Sequence, residues 1–422
     1  MARNTADEPI LEVVLEKSGR VLKPSEYSYT QDFLDATDSF SFTIYSEKTE
    51  DLHGLELQPV ELLIDGKRQM LGRIEKTTCG GDQYGSAVHC EGRDYLADLV
   101  ECNVDPLTIL PEGKNLEQAI LYLAGPCGIT KIEDQSPRYT TRTGKYVNPM
   151  DAKLSSKQVK DLRPEAGKGL MDALTTLCAR YGVMIQPALE RDTVVVQAPS
   201  YEWESHSRLV RGIGATKSNL IISGTASRDY SKVPTHCIFT GKQGNASEKG
   251  GAKGTMRVWD LFGDWIPVAG DELRSILENA VYHGRVNPDA TRATEAAPGG
   301  VIYRMLYFLD RHAKTQEQIE RSQLRAVSER LKDTLRYEAT VRGHVNPQSG
   351  YVWGCDTMID VDDSMTNVHE QLWCHRAVFA NSSKNGPTTT LSMIRGGSFM
   401  VYADPIENVR VYQKPKQSAI RK

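Results

Sequence analysis

Ser39-Phe40-Ser41-Phe42-Thr43-Ile44-Tyr45 alternates hydroxyl residues with Phe40, Phe42 and Ile44, the period-two signature of a strand with one buried face. Beyond it, Val60 to Ile64 runs into Asp65-Gly66. That pair suits a two-residue hairpin turn whose central positions both need positive φ, and the chain returns through Met70 to Thr77. A third run, Tyr84 to Glu91, completes a meander. Open meanders leave unpaired edges, and closure into a small barrel removes them.

Downstream, the period changes. Asn115 is placed to cap a helix in which Leu116, Ile120 and Leu123 share a face, with Gly125-Pro126 ending it. Residues 133–163 are polar and aperiodic and read as a surface excursion. Lys168 to Tyr181 carries a helical stripe of Leu170, Leu174, Leu177 and Tyr181, with Gly182 where a left-handed cap belongs. Val183 to Ile185 and Thr193 to Gln197 flank a turn around Glu190-Arg191-Asp192, which makes a helix-plus-hairpin unit. Strands continue through Leu220 to Thr225 and Thr235 to Thr240.

Residues 241–254 hold too few apolar side chains to pack and read as a flexible loop, as do residues 287–300. Val301 to Leu309 is an apolar strand. Thr315 with Gln318 matches a capping box, and Ile319, Leu324, Val327, Leu331 and Leu335 carry a helix to about Arg336. Tyr337 to Val345, Tyr351 to Gly354, Thr357 to Val361, Gln371 to Phe379 and Thr388 to Ile394 then read as five short strands, enough for a second barrel.

The fold class is therefore α+β and β-rich: two small β-barrel domains with α+β and helical inserts. The expected division is a first barrel over 1–100, a helical and loop insertion over 101–165, an α+β domain over 166–240 and loops over 241–300. A long helix with the second barrel follows over 301–400, then a tail over 401–422. A chain of 422 residues is long enough for several such units.

Composition excludes extremes. The 39% hydrophobic and 25% charged shares are those of a globular chain, and a net charge of -4 provides no global field for polyphosphate. Lys414, Lys416, Arg421 and Lys422 make a short basic tail that reads as a solvated end. Residues 1–9 lack a signal-peptide core, and no apolar run approaches a membrane span, so a cytosol-like site of synthesis is expected. The eight cysteines include no Cys-x-x-Cys pair and read as reduced thiols.

No reaction centre emerges. Gly167-Lys168-Gly169 and Lys253-Gly254-Thr255 do not complete a phosphate-binding loop, and His369-Glu370-Gln371-Leu372-Trp373 has tryptophan where a zincin needs its second histidine. Asp360, Asp362, Asp363 and Ser364 resemble a Ca²⁺ loop, but Met365 occupies the turn-glycine position and Gln371 the bidentate-glutamate position, which favours a solvated acidic turn. The neighbours His89-Cys90, His236-Cys237 and Cys374-His375 face opposite ways on a strand and so offer one ligand each. Glu202 and Glu204 around Trp203 invite comparison with a glycosidase pair, though carboxylates two apart usually share a solvated face. Trp203, Trp353 and Trp373 are open to use as sugar platforms or as core. No catalytic, cofactor-binding or metal residue is assigned, and no enzyme activity is expected.

The order of elements carries a resemblance. Cys90-Glu91-Gly92-Arg93-Asp94-Tyr95-Leu96-Ala97-Asp98-Leu99-Val100-Glu101-Cys102 resembles the strand-to-helix junction of Mu-like phage tail proteins of the gene P type, the contractile-tail baseplate hub family. So do the unit from Lys168 to Pro199, the strand start Asn219-Leu220-Ile221-Ile222, and the long helix. Thr340-Val341-Arg342-Gly343-His344, Val352-Trp353-Gly354, Val378-Phe379 and Thr388-Thr389-Thr390-Leu391 resemble that family's second tube barrel. The likeness spans about residues 8 to 400, and the polar segments 133–163 and 241–300 depart from it.

The resemblance implies a homotrimer in a virion tail baseplate, assembled in the host cytoplasm, whose six barrels adapt a hexameric tail tube to a trimeric central spike. Its implied partners are the spike, the tail tube or tube-initiator protein and other baseplate proteins, with the tape measure protein a further candidate. DNA enters only as cargo in the channel, and the chain itself does not insert into a membrane. A type VI-like secretion spike hub and a tail-associated peptidoglycan hydrolase stay open as alternatives.

Overall fold

In a computed structural model of the chain, the residues described are 10–46, 54–82, 85–105, 113–141, 146–151, 153–154, 167–179, 181–201, 207–212, 220–229, 231–232, 236–241, 253–257, 305–310, 330, 332–396 and 409–413. Alternation organises the first seven strands: β1 (Leu11–Leu15), β2 (Arg20–Leu22), β3 (Glu26–Asp32), β4 (Ser39–Ser46), β5 (Pro59–Ile64), β6 (Lys67–Asp82) and β7 (Gly85–Asp94). They pair antiparallel in the order β2-β1-β5-β6-β7-β4-β3. The β5–β6 turn is the expected one, with Asp65 at φ 54 and Gly66 at φ 66.

The next block comprises α1 (Ala97–Glu101), α2 (Leu116–Ala124), β8 (Lys131–Gln135), β9 (Arg138–Thr141), β10 (Tyr146–Val147), α3 (Leu170–Ala179), β11 (Met184–Pro187) and β12 (Thr193–Gln197). Asn115 caps α2 through its side chain, which accepts from the Gln118 N–H at 2.9 Å, while the Asn115 N–H donates back to Gln118 Oε1. The α3 stripe ends at Gly182, φ 70, with the Val183 N–H reaching back to the Cys178 carbonyl. Leu116, Ile120, Leu170, Leu174, Leu177, Val194 and Val196 share one core, to which both sides of residue 165 contribute. The polar segment expected to be an excursion begins as a strand: Glu133, Asp134 and Gln135 lie in β8, parallel to β12. Its partner is some sixty residues away, so local periodicity carried no sign of it.

Next come β13 (Arg208–Arg211), β14 (Ile221–Ser227), β15 (His236–Gly241), β16 (Lys253–Arg257), β17 (Met305–Asp310), β18 (Arg336–Arg342), β19 (Thr357–Asp363), β20 (Val368–Ser382), β21 (Gly386–Arg395) and β22 (Val409–Gln413). Strands β16, β15 and β17 form a small sheet, as do β10, β9 and β22. The helix expected to reach Arg336 stops earlier: Arg336 opens β18, and Leu335 is buried in the sheet core. Most of that helix, from 315, lies outside the described residues, as do 287–300 and the basic tail. Tyr351 to Gly354 is not a strand. A single bridge, Val345 to Val352, is all that pairs there, because the turn at residues 346–350 brings the two together only once.

The two runs expected to make separate barrels share one sheet. Strand β3 pairs with β20 from Asp32–Arg376 to Tyr27–Asn381, giving a thirteen-stranded sheet among the described residues, with β14-β18-β21-β20 on one side of the junction. Strand β19 branches from β20, and β13 runs parallel to β19. One apolar core runs through both halves, including Leu11, Leu62, Ile74 and Phe42 on one side and Tyr337, Ala339, Leu372 and Phe379 on the other. Burying side chains of this size contributes about 2 kcal/mol each, which makes the junction part of the core.

Candidate assembly face

The β3–β20 junction is built from alternation on both strands. Tyr27, Tyr29 and Gln31 point to the core and Ser28 and Thr30 away from it; Ala377 and Phe379 are buried while Val378 and Ala380 are half-buried on the opposite face. Tyr29 stacks on Phe379 with centroids 5.4 Å apart.

A relay of hydrogen bonds crosses the junction. The Leu11 N–H donates to the Tyr27 hydroxyl at 3.1 Å; Tyr27 meets His344 Nε2 at 2.7 Å; His344 Nδ1 meets Thr389 Oγ1 at 3.0 Å; and Thr389 donates to the Gly343 carbonyl at 2.8 Å. Thr389 spends its proton on Gly343, so it accepts from His344 Nδ1–H. Nε2 is then the acceptor for Tyr27, and each proton has a partner. Burial holds the His344 imidazole down to about 4, against the Gly343 backbone bond, so the ring is neutral at neutral pH. Burial likewise pushes the Tyr27 phenol up to about 12.

Neither half closes on itself by a backbone ladder among the described residues. In the first half, the Tyr27–Leu11 bond spans from β3 to β1. In the second, Arg211 at the end of β13 binds Asp363 twice, at 2.9 and 2.7 Å, and donates to the Gly224 carbonyl of β14 at 3.0 Å. Asp363 also accepts from Tyr337, Thr366 and the Met365 N–H. Burial raises this carboxyl, but the bonds from Arg211, Thr366 and Tyr337 outweigh it and hold it well below the usual range. A Cβ at Gly224 would stand 2.8 Å from the Tyr337 hydroxyl and 2.9 Å from the guanidinium, so only glycine admits the clamp.

The face opposite the core is the candidate surface. One cross-strand row runs Ser223, Thr340, Thr390, Val378, Thr30, Ser39 and Arg93, from β14 to β7 without interruption. The adjacent row runs Arg342, Thr388, Ala380, Ser28, Ser41, Glu91 and Lys76. Hydroxyls dominate the first row and share the second with charged residues, and the charges pair with opposite sign: Lys76 with Glu91 at 3.0 Å, Arg93 with Glu75 at 2.7 Å. Ser28, Thr30, Ser41, Glu75 and Arg93 line a shallow concavity of about 380 Å³. At Gly92, a Cβ would meet the Arg73 carbonyl at 2.1 Å and the Phe40 ring at 2.4 Å; here β6 approaches closely enough to require glycine.

The residues weighed for chemistry are otherwise placed. Asp363 is no solvated turn residue: it is fully buried in the Arg211 clamp, while Asp362 pairs with Arg208 and His369. Cys90 and Cys374 point into the core, with burial pushing each thiol up to about 12. Among the described residues no group of three or more His, Cys, Asp or Glu is arranged to hold a metal ion. Trp353 and Trp373 are interior, 4% and 0% exposed, so neither is a sugar platform; Trp373 donates to Asp356 at 2.9 Å and packs edge-on against Phe33. Glu202, Trp203 and Glu204 lie outside the described residues. Sequence reasoning missed Tyr27, His344 and Arg211, though Tyr27-Ser28-Tyr29-Thr30 carries the same alternation as Ser39 to Tyr45. Among the described residues no helix is long and apolar enough to cross a membrane.

No family model matches the sequence, and no curated protein matches it either. Solved structures do. A tail protein from Neisseria meningitidis MC58 superposes with a TM-score of 0.65 at 18% identity, covering 93% of this chain and 98% of that one. The 43 kDa tail protein of prophage MuSo2 from Shewanella oneidensis gives 0.65 at 16% identity over 93% and 99%. This chain has the fold of a phage tail protein. The resemblance read from the order of elements is thus borne out for the fold. A chain of the Francisella PdpA-VgrG complex also matches, with a TM-score of 0.53 at 8% identity, over 99% of this chain but 61% of that one.

Proposed function

We propose that the protein is a structural hub of a phage tail or phage-like particle, with three copies forming a ring in which each subunit supplies two barrel-like half-sheets. The observation that carries this reading is the pair of cross-strand rows, rich in Ser and Thr, that continue in register across β3 and β20. Two halves with one core and one outward chemistry present equivalent surfaces, and three such pairs imitate sixfold symmetry around an axis. In this reading the hydroxyl-rich face turns toward the axis. A wall of Ser and Thr with charges of both signs offers a passing polyanion no run of cations to bind. The Tyr27 and Arg211 seams hold each half in its curled shape, so the rows stay aligned. One end of the ring then fits a sixfold tube and the other a threefold spike, and no reaction step is required of the chain.

Light scattering on the purified protein tests this. A stable species of three times the 47.0 kDa chain, alone or with a spike partner, supports the hub; a monomer that stays monomeric with spike and tube proteins present contradicts it. The match to a chain of the Francisella complex favours a second reading, the hub portion of a type VI-like secretion spike. Copurification with a needle-like chain in place of a tail tube distinguishes the two.

A further inference from the structure

Cys102 follows α1, and Cys127 sits in the short 3-10 turn (Gly125–Cys127) that follows α2. Their sulfurs are 3.5 Å apart, and both residues are half-buried against the core of the α+β unit. Both backbones are anchored. The Cys102 N–H donates to the Asp98 carbonyl at 3.1 Å and its carbonyl accepts from the Leu170 N–H at 2.8 Å; beyond Cys127, the Gly128 N–H closes the turn onto Gly125 at 2.8 Å. The pair therefore stays together without a covalent link. Closing to a bond of about 2 Å needs the two sulfurs to approach by about 1.5 Å.

We propose that Cys102 and Cys127 form a reversible disulfide that locks α1 to α2, an oxidation site for a small disulfide such as glutathione disulfide. The Cys102 thiolate attacks one sulfur of the oxidant and expels a glutathione thiolate. The Cys127 thiolate then attacks Cys102 Sγ in the mixed disulfide and expels the second. Two thiols are oxidised, one glutathione disulfide becomes two glutathiones, and the two protons leave with the products.

The surroundings set the rate. Burial pushes the Cys127 thiol up to about 11, with the Cys102 thiol beside it and the Asp98 charge adding to the effect, so the resolving thiolate is scarce at neutral pH. The pair thus stays reduced in a cytosol-like space and closes slowly once the chain meets an oxidising one. Of the other described thiols, Cys90, Cys178 and Cys374 are buried out of reach of an oxidant, while Cys79 is exposed and Cys355 half-buried. Closure ties a loop of about 25 residues that contains all of α2, which restricts the unfolded chain more than the folded one. The inference does not depend on the hub reading, because both sulfurs belong to one chain.

The test is glutathione disulfide titration of the full-length protein, read by peptide mapping and thermal unfolding. Expected are a linked peptide joining Cys102 to Cys127, a midpoint raised by about 5 °C, and a closure rate rising about tenfold per pH unit from 7 to 9. Cys127→Ser and, separately, Cys102→Ser abolish the linked peptide and the midpoint shift while keeping the circular dichroism of the parent. A protein that stays reduced at those positions, links other cysteines first, or loses stability on closure overturns the proposal.

Discussion

The two halves of the large sheet face the same difficulty and answer it with opposite chemistry. Each curls without a closing backbone ladder among the described residues, and each spans its gap with a side chain. The first half uses a neutral phenol, Tyr27, in a relay that ends on Gly343; the second uses an ion pair, Arg211 with Asp363, aimed at the Gly224 carbonyl. A neutral bridge costs little to bury and is worth little when cut. A buried charge pair is costly to bury, and more costly still to leave half-made. The seam of the first half should therefore yield gradually and that of the second abruptly.

The sharpest break lies outside both seams. Gly92→Ala puts a methyl where β6 and Phe40 already stand, and a loss on the order of 4–5 kcal/mol is expected, seen as insoluble protein or a lost cooperative transition. Next comes Arg211→Met, which leaves Asp363 buried without its partner and should cost roughly 3–5 kcal/mol in urea unfolding. Adding Asp363→Leu to it should recover part of that loss. A double variant as unstable as the single one would mean that the clamp's charge is not what matters.

Acid separates the seams. Unfolded, His344 gains its proton near 6.5; folded, near about 4, so the unfolded state binds more protons between these values. The relay's stability is whole above pH 6.5 and is lost as pH falls toward 4, about 3 kcal/mol in all. Asp363, held below its ordinary 3.8, surrenders its contribution only as pH falls below that. Hydrogen exchange reads both: the Leu11 N–H, bound to Tyr27, should accelerate before the Ser364 N–H, bound to the Arg211 carbonyl. Simultaneous release would deny the difference between the halves. Tyr27→Phe, the smallest of these changes, removes the hydroxyl from two buried partners and should cost roughly 1–3 kcal/mol by the same unfolding measurement.

How much of this was legible in the sequence follows from range. Ser39 to Ile44, Asp65-Gly66, the Asn115 cap and the Leu170 stripe each state their structure within a turn or two of chain, and each appears as read. What joins the halves does not, because Tyr29 and Phe379 meet across 350 residues, and the parallel partners of β8 and β13 also lie far beyond any local period. Asp363 looked solvated for the same reason: its neighbours Asp360 and Asp362 are local, while Arg211, which decides its state, is 152 residues away. The candidate face was half visible: the hydroxyls of Ser39, Ser41, Thr388 and Thr390 are plain in the sequence, but their alignment in two adjacent rows needed the β3–β20 register.

A hub of this kind requires both halves to turn the Ser- and Thr-rich face toward a common axis. Electron cryo-microscopy of the purified ring, or of the particle carrying it, measures this directly. The account predicts six similar lobes around an open passage, two from each of three subunits, with Ser28, Thr30 and Thr390 on its wall. A ring with one lobe per subunit at the passage, or with that face turned outward, would contradict it.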